Sequence, residues 1–491
     1  METKQGAEGE SAQGERSSQS LQSAPHEEEA VARWHAQSRR EELPKLLRLA
    51  IPLTLSFVGQ QLLTLVDTFV AGRIGVNALA ATGTGGALFW LGSVAPLGVM
   101  LALDPLSSQA VGAGDQKRLW DACRGGLGYA LLLATVTSIL LVSLVSSFAP
   151  WASLFPWNQG EAGEAVRQYL FARTPAVFPF LCYITLRCHL QSQSVTAPIL
   201  TATLLANLIN FPLSCWLGGG AMLLGELGLP VISGGGYGVW GVGVASMIAS
   251  LFECLVLLIW TVRISGRFPW PARFLWNEIN RIGLPIGGAL LSEGGIFSAA
   301  TLIAGWWGVN AVGAHQITLQ LASFTFTVCL GISSATAVRV GYWIGAGSLK
   351  GSRYAARSGL ISGLLIMSCS ALIFWSKGAP LAGILSADQE VCGLATELLM
   401  IAAAFQLFDA LQVIAAGALR GAGWTTLPLY IATLSHWGIG LPVGLSLALA
   451  GELGIHGIWW GLVAGLAVAG LLMSYAFFRR LGENERQLQI R

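Results

Sequence analysis

Charge is scarce in this chain. Only 11% of its 491 residues are Asp, Glu, Lys or Arg, whereas 54% are hydrophobic. A soluble globular domain carries roughly 25% charged residues. A chain of this length therefore lacks the charge to cover itself in water, and most of its outer face has to meet lipid. The net charge of +2 gives no polyanion-binding signature, so nucleic acid is excluded as a partner. Lysine is nearly missing, with five in the chain, and no G-x-x-x-x-G-K-[ST] loop occurs, which excludes ATP hydrolysis by this chain. H-E-x-x-H and G-x-S-x-G are absent as well, so nothing points to an enzyme. The eight cysteines (Cys123, Cys182, Cys188, Cys215, Cys254, Cys329, Cys369 and Cys392) form no C-x-x-C pair and no metal-ligand spacing. Most lie in apolar stretches and read as small buried hydrophobes. Residues 1–43 lack an apolar run; they are polar and rich in Glu, Gln, Ser and Arg. They are expected to form a largely disordered cytoplasmic tail, helical from Glu27 into Leu47, and not a secretory signal.

What the chain has instead is apolar length. A helix crosses a bilayer with about 20 residues. Twelve apolar stretches of that order occur, near 47–70, 78–110, 122–148, 168–190, 196–217, 238–262, 281–304, 311–344, 354–380, 393–418, 425–449 and 455–478. The 61 glycines suit such a protein, because small residues let membrane helices approach closely. The expected fold is all-α and polytopic. Pro52, Pro96, Pro105, Pro285 and Pro442 are expected to kink helices or sit near their ends. An even number of spans puts both termini on one side, and 24 of the 28 Lys and Arg fall on that side. Only Arg73, Arg167, Arg173 and Lys377 fall opposite. The positive-inside rule then makes both termini cytoplasmic and the protein a multi-pass component of the cell inner membrane.

The chain also repeats. At an offset of 233, Pro52 meets Pro285, and Ala71-Gly72 with Gly75-Val76-Asn77-Ala78 and Ala81 meet Ala304-Gly305 with Gly308-Val309-Asn310-Ala311 and Ala314. Gly112-Ala113-Gly114 meets Gly345-Ala346-Gly347, Lys117 meets Lys350 and Arg124 meets Arg357. At an offset of 230, Pro198 meets Pro428 and Pro212 meets Pro442. The chain divides accordingly into the tail 1–43, a six-helix lobe at 44–264, a second at 265–480 and a C-terminal tail at 481–491. Six spans return the chain to its starting side, so the lobes are expected to share one orientation about a pseudo-twofold along the membrane normal. Two such bundles enclose a cleft that opens to either side as they rock. That points to transport driven by an ion gradient, with duplication for packing alone as the plainer alternative.

Five acids lie inside the spans: Asp67, Asp104, Glu253, Glu293 and Asp409. Charge at membrane depth costs about 2.5–3.5 kcal/mol even on insertion scales, so each is a functional candidate. None has Lys or Arg within one helical turn, so each needs a bound cation, a proton or a partner from another helix. Glu293 and Asp409 are the strongest candidates. Their first-half counterparts are Gln60 and Pro179, whereas a structural carboxylate pair would more readily appear in both copies. Asp67, near the outer end of span 1, reads as an ion or proton site or as a carboxylate reaching outer water. Asp104 precedes Pro105 near a span end, where interfacial exposure is an equal reading, and Glu253 stays open. Asn207 and Asn210 on span 5 supply neutral oxygens for a hard cation, or interhelical amide hydrogen bonds. His315 and His436 read first as satisfied interior histidines and second as proton carriers. Trp90, Trp306, Trp307, Trp459 and Trp460 read as interfacial belt residues.

At these residues the chain resembles the multidrug and toxic compound extrusion (MATE) family, in its NorM-like branch, over roughly residues 44–480. The resemblance rests on Ile51-Pro52, Val66-Asp67-Thr68 with Ala71-Gly72, and Gln109-Ala110-Val111-Gly112-Ala113-Gly114. In the second half it rests on Ser292-Glu293, Ala314-His315-Gln316, Val338-Arg339-Val340-Gly341, and Phe408-Asp409-Ala410-Leu411-Gln412 with Leu419-Arg420-Gly421. The resemblance implies a V of two six-helix lobes and export of small cationic, amphiphilic drugs in exchange for Na⁺ or H⁺, by alternating access and without a resident cofactor. It implies Glu293 and Asp409 as cation-coupling acids, holding Na⁺ if sodium is the coupling ion. It further implies Asp67 with Asn210 as a first-lobe site, with Asn207, Gln60 and His315 as candidates for cation or substrate support. Ser214 stands where the NorM pattern often has a second Asn, and the span 4–5 turn reads Leu190-Gln191-Ser192-Gln193 where bacterial members are usually acidic. Both departures leave the ion open. A lipid-linked sugar flippase of the same superfamily and a non-transporting membrane protein are the alternatives. Monomer is the expected state, with membrane lipid around it.

Overall fold

The computed structural model describes the backbone of residues 8–146 and 160–489 and the side chains of residues 41–144, 146 and 160–486. Among the described residues there is no strand, and 12 helices are long and apolar enough to cross a membrane. They are α1 (Glu41–Ile74), α2 (Val76–Gly112), α3 (Gln116–Leu144), α4 (Gly160–Ser192), α5 (Ala197–Glu226), α6 (Gly238–Ser265), α7 (Trp276–Trp307), α8 (Val309–Gly345), α9 (Leu349–Leu385), α10 (Gln389–Gly421), α11 (Thr426–Leu449) and α12 (Ile455–Arg486). Most run past the apolar stretches that announce them, and the first continues N-terminally as helix from Glu8. That extension crosses residues for which the sequence reading expects a largely disordered tail.

The repeat is visible in the turns. Gly75 (φ 151°) closes the corner from α1 to α2, and its counterpart Gly308 (φ 92°) closes that from α7 to α8. Gly114 (φ 71°) and Gly347 (φ 75°) do the same after α2 and α8. A side chain at such φ clashes with its own backbone, so glycine recurs where the corner recurs.

Proline predicts only some of the irregularities. Helix α2 breaks at Leu101–Ala102, a few residues before Pro105, while α helix continues through Pro96 and Pro285. Helices α5 and α11 each widen into a π segment, Cys215–Gly219 after Pro212 and Leu434–Gly440 before Pro442. Proline's missing N–H frees a carbonyl one turn back, which the wider turn before Pro442 absorbs; the segment after Pro212 lies on the other side of its proline and is not explained this way. In α9, Lys377 leaves helical geometry (φ −128°, ψ 22°) ahead of Pro380, a kink that sequence inspection does not single out.

The apolar core has three main parts. The largest joins α1–α6 and takes in Ile279, Ile282 and Ile286 of α7 and Ile332, Ala335 and Val338 of α8. The other two lie within α7–α12, around Trp459 and around Phe477. Trp459 is therefore a core residue, fully buried against His315 and Phe405, and not an interfacial one. Trp90, Trp306 and Trp460 are exposed, as belt positions require.

Contacts between the two halves gather toward the side that carries the chain ends. Arg339 of α8 grips Glu42 of α1 with both guanidinium arms (2.7 and 2.8 Å), and Trp343 Nε1 donates to the same carboxylate at 3.0 Å. Arg420 of α10 pairs with the buried Asp104 of α2 at 3.2 Å, and Gln109 donates to the Gly421 carbonyl at 3.0 Å. Arg118 of α3 pairs with Glu278 of α7 at 2.8 Å. Gly98 of α2 meets Gly287 of α7 so closely that a Cβ on Gly98 would lie 2.4 Å from the Gly287 Cα. The contact farthest from the chain ends is a weak one near mid-span, Gln61 Nε2 to Thr327 Oγ1 at 3.5 Å. Among the described residues no hydrogen bond or ion pair joins the halves beyond it. Among the described residues, the polar contacts between the two bundles are thus gathered on one side.

Candidate functional site

Asp409 sits on α10, about 18 Å along the helix from the clasped side, and Glu293 on α7, about 25 Å from it. Asp409 is 3% exposed. Glu293 is partly buried and turns toward α10, where its Oε1 accepts from Gln412 Nε2 at 3.1 Å. Gln412 stands one helical turn from Asp409, so its bond to Glu293 brings the two acids into one neighbourhood. Neither forms an ion pair among the described residues. Two like charges in one neighbourhood at membrane depth, with no basic partner among the described residues, require a mobile counter-charge or a proton.

Gln412 completes the arrangement. It lies three residues after Asp409, on the same helical face. Its amide N–H is spent on Glu293, which leaves its buried Oε1 without a partner. Two carboxylates and a free amide oxygen are an oxygen-only donor set, the kind hard cations take. Among the described residues no three of His, Cys, Asp and Glu converge, so neutral oxygens would have to complete the shell of any metal ion. Gln412 was legible as part of the Phe408–Gln412 run, but only as spacing; that its oxygen is unclaimed depends on where Glu293 lies.

The first half is built differently. Asp67 of α1 lies against Arg173 of α4 at 2.5 Å, accepts from Tyr169 at 3.2 Å and receives the Ser246 hydroxyl at 2.6 Å. Arg173 also stacks over Phe89 and Tyr169. A permanent cation from another helix therefore balances Asp67, and the sequence hides this because Asp67 and Arg173 are 106 residues apart. Asn210 makes no hydrogen bond to Asp67. It is fully buried, and both its amide atoms lack a partner among the described residues. Asn207 ties α5 to α1 by donating to the Gly59 carbonyl at 3.0 Å. Gln60 uses its N–H on Glu253 of α6 at 2.7 Å and so acts as a hydrogen-bond donor to an acid.

The remaining candidates lie away from the Glu293–Asp409 neighbourhood or are held by other side chains. His315 is buried, 3.0 Å from Thr301 Oγ1 and edge-on to Trp459, about two helical turns beyond Glu293. His436 is buried in the π segment of α11. Asp104 is held by Arg420 and by Gln191 Nε2 at 2.5 Å, and is not exposed at an interface.

Known proteins resemble the chain over nearly its whole length. The family model described as MatE matches residues 52–216 and again 285–445, two segments whose starts are separated by the offset of the repeat. A "Probable multidrug resistance protein NorM" of Deinococcus radiodurans is 36% identical over 459 residues, covering 90% of this chain and 96% of that protein. A "Probable multidrug resistance protein NorM" of Xanthomonas axonopodis pv. citri is 32% identical over 443 residues, covering 87% and 92%. Among solved structures, a MATE in complex with MaD3S superimposes with a TM-score of 0.81 at 18% identity, covering 91% of this chain and 97% of that one.

Proposed function

This chain belongs to the MatE family, and from that premise we propose that it is a multidrug efflux transporter, not an enzyme, which exports small cationic organic compounds in exchange for Na⁺ or H⁺. The observation that carries the exchange is the Glu293–Asp409 pair: two neighbouring acids with no basic partner, beside the unclaimed oxygen of Gln412. A pair balanced by a fixed Arg would have nothing to exchange; this pair is neutral only when a mobile cation or proton occupies it.

The cycle follows from that electrostatic deficit. With both termini cytoplasmic, as the Lys and Arg bias implies, the clasp closes the cytoplasmic side and the cleft opens outward. In this state Glu293 and Asp409 take up Na⁺ or H⁺ as co-substrate. Neutral carboxylates no longer attract a cationic drug, which leaves outward, and they no longer resist burial in a drier cleft, so the halves close over them. Opening to the cytoplasm releases the ion, restores the negative charge and admits the next cation. Exchange is obligatory because the site prefers different occupants in its two states. We place the halves as lobes at 44–264 and 265–480, related by a pseudo-twofold along the membrane normal, in a monomer embedded in the inner membrane.

A flippase for lipid-linked sugars is disfavoured by charge: a pyrophosphate needs a cationic cleft, and the carboxylate pair supplies the opposite sign. The test is efflux of an organic cation from proteoliposomes under Na⁺ and H⁺ gradients imposed separately. Either gradient should drive wild-type export, and Glu293→Gln and Asp409→Asn should abolish it while folding normally. Absence of wild-type export under both gradients rejects the proposal.

A further inference from the structure

Glu253 is a buried acid that the exchange cycle above leaves without a task. It sits in the middle of α6, 3% exposed, with no ion pair among the described residues. Its Oε1 accepts from the neutral Gln60 of α1 at 2.7 Å. Thr203 of α5 supplies a second neutral contact. Tyr183 of α4 lies within electrostatic reach, as does Arg187 of α4. Arg187 is itself 5% exposed, has a partnerless Nε, and stacks on Phe57 without touching the acid. Cys254 is the titratable neighbour on the same helix.

The repeat gives this constellation meaning. Gln60 holds in α1 the position that Glu293 holds in α7. Each half thus joins a glutamate on one helix to a glutamine on another, with the roles exchanged: Gln60 of α1 serves Glu253 of α6, and Gln412 of α10 serves Glu293 of α7. Glu253 also lies as many residues from the clasped end of α6 as Asp409 does from that of α10. Position 60 holds no acid, and Glu253 reaches its side chain from a neighbouring helix.

We propose that Glu253 is a second exchange site, in the first half of the molecule, and that its ligand is a proton. A metal ion is disfavoured on three grounds. Gln60 offers Glu253 an N–H and not an oxygen, no other acid adjoins it, and the Arg187 guanidinium repels a further fixed cation. A proton needs only the carboxylate oxygen, forming an O–H that Gln60 and Thr203 still tolerate. Arg187 lies on the clasped side of the acid and favours its ionised form, so it assists release in that direction. The link to motion is α1: Gln61, adjacent to Gln60, touches Thr327 of α8 across the cleft, and Gly59 is tied to α5 by Asn207. This inference rests on the exchange reading but is tested apart from it.

The experiment is infrared difference spectroscopy of the reconstituted full-length protein stepped in pH, in the C=O stretching region of protonated carboxyl groups. Wild type should show a band that Glu253→Gln removes, Glu253→Asp shifts, and the Glu293→Gln/Asp409→Asn double variant retains. Gln60→Ala keeps the acid but deletes its donor, so it should move that band's frequency and titration midpoint, and it serves if Glu253→Gln fails to fold. Binding of tetraphenylphosphonium in weak buffer should release fewer protons from Glu253→Gln than from wild type. If no band responds to Glu253→Gln or Gln60→Ala, Glu253 does not exchange a proton and the proposal fails, with the Glu293–Asp409 reading untouched. If wild type fails to bind tetraphenylphosphonium, the export reading suffers while the spectra still decide Glu253.

Discussion

Removing the carboxylate of Asp67 would leave Arg173 half-sheltered between Tyr169 and Phe89 with no anion to balance it. Breaking a buried ion pair from one side costs 3–5 kcal/mol, and the partial exposure of Arg173 places this one near the lower end, at about 3 kcal/mol. Asp67→Asn should therefore lower the melting temperature of the purified protein in detergent, and adding Arg173→Gln should restore part of the loss. A wild-type melting temperature for Asp67→Asn would show that the pair carries no structural load. Asp409→Asn has the opposite expectation. It removes a charge that no fixed cation balances, so thermal stability should hold or rise while export disappears. Side by side, these two outcomes would separate a carboxylate that supports the fold from one that serves the proposed exchange.

Between elements, distance is set by what is missing from glycine. Helices α2 and α7 approach so closely at Gly98 and Gly287, and at Gly283 against the Val99 carbonyl, that a Cβ on either Gly98 or Gly283 would lie 2.4 Å from backbone. Backbone cannot rotate aside as a side chain can, so Gly98→Ala must spread the two helices. Overpacking of this kind costs about 1–3 kcal/mol, and melting in detergent should report it. Gly83, on the same helix, has nothing within 4 Å of where its Cβ would stand, so Gly83→Ala is the control and should stay within about 0.5 kcal/mol of wild type. Equal behaviour of the two variants would refute the close approach. Helices α5 and α11 show the other limit on reading elements from sequence: both carry a proline, but the π segment follows it in one and precedes it in the other.

Across the whole molecule, the clasp made by Glu42, Arg339 and Trp343, together with Asp104 and Arg420, opposes opening on the side of the chain ends. Glu42 is 1% exposed, so its pair with Arg339 is shielded from water and salt. Glu42→Gln deletes the anion from a bidentate pair, and about 3 kcal/mol of lost closure energy is worth a factor of more than 100 in a two-state equilibrium. Spin labels placed across that side, on α1 and α8, should show a longer-distance population in Glu42→Gln that wild type lacks. A distance distribution identical to wild type would remove the clasp from the gating mechanism. The outer halves, where no such bonds join the bundles, are free to respond to charge at Glu293 and Asp409.

Twelve spans, the duplication and the candidate acids were all legible in the chain, though span ends were missed by up to nine residues, because hydrophobic length and charge scarcity are local properties that the bilayer alone dictates. Glu293 and Asp409 were legible as candidates for the same reason, since a charge inside an apolar run stands out without any partner in view. What tertiary structure decided was which acids are already balanced. Asp67 finds Arg173, Asp104 finds Arg420, Glu253 finds neutral donors and no ion pair, and Asp409 finds no cation among the described residues, although all four look alike along the chain. Electrostatic balance at membrane depth is settled across helices, over separations of a hundred residues and more, and no local pattern records it.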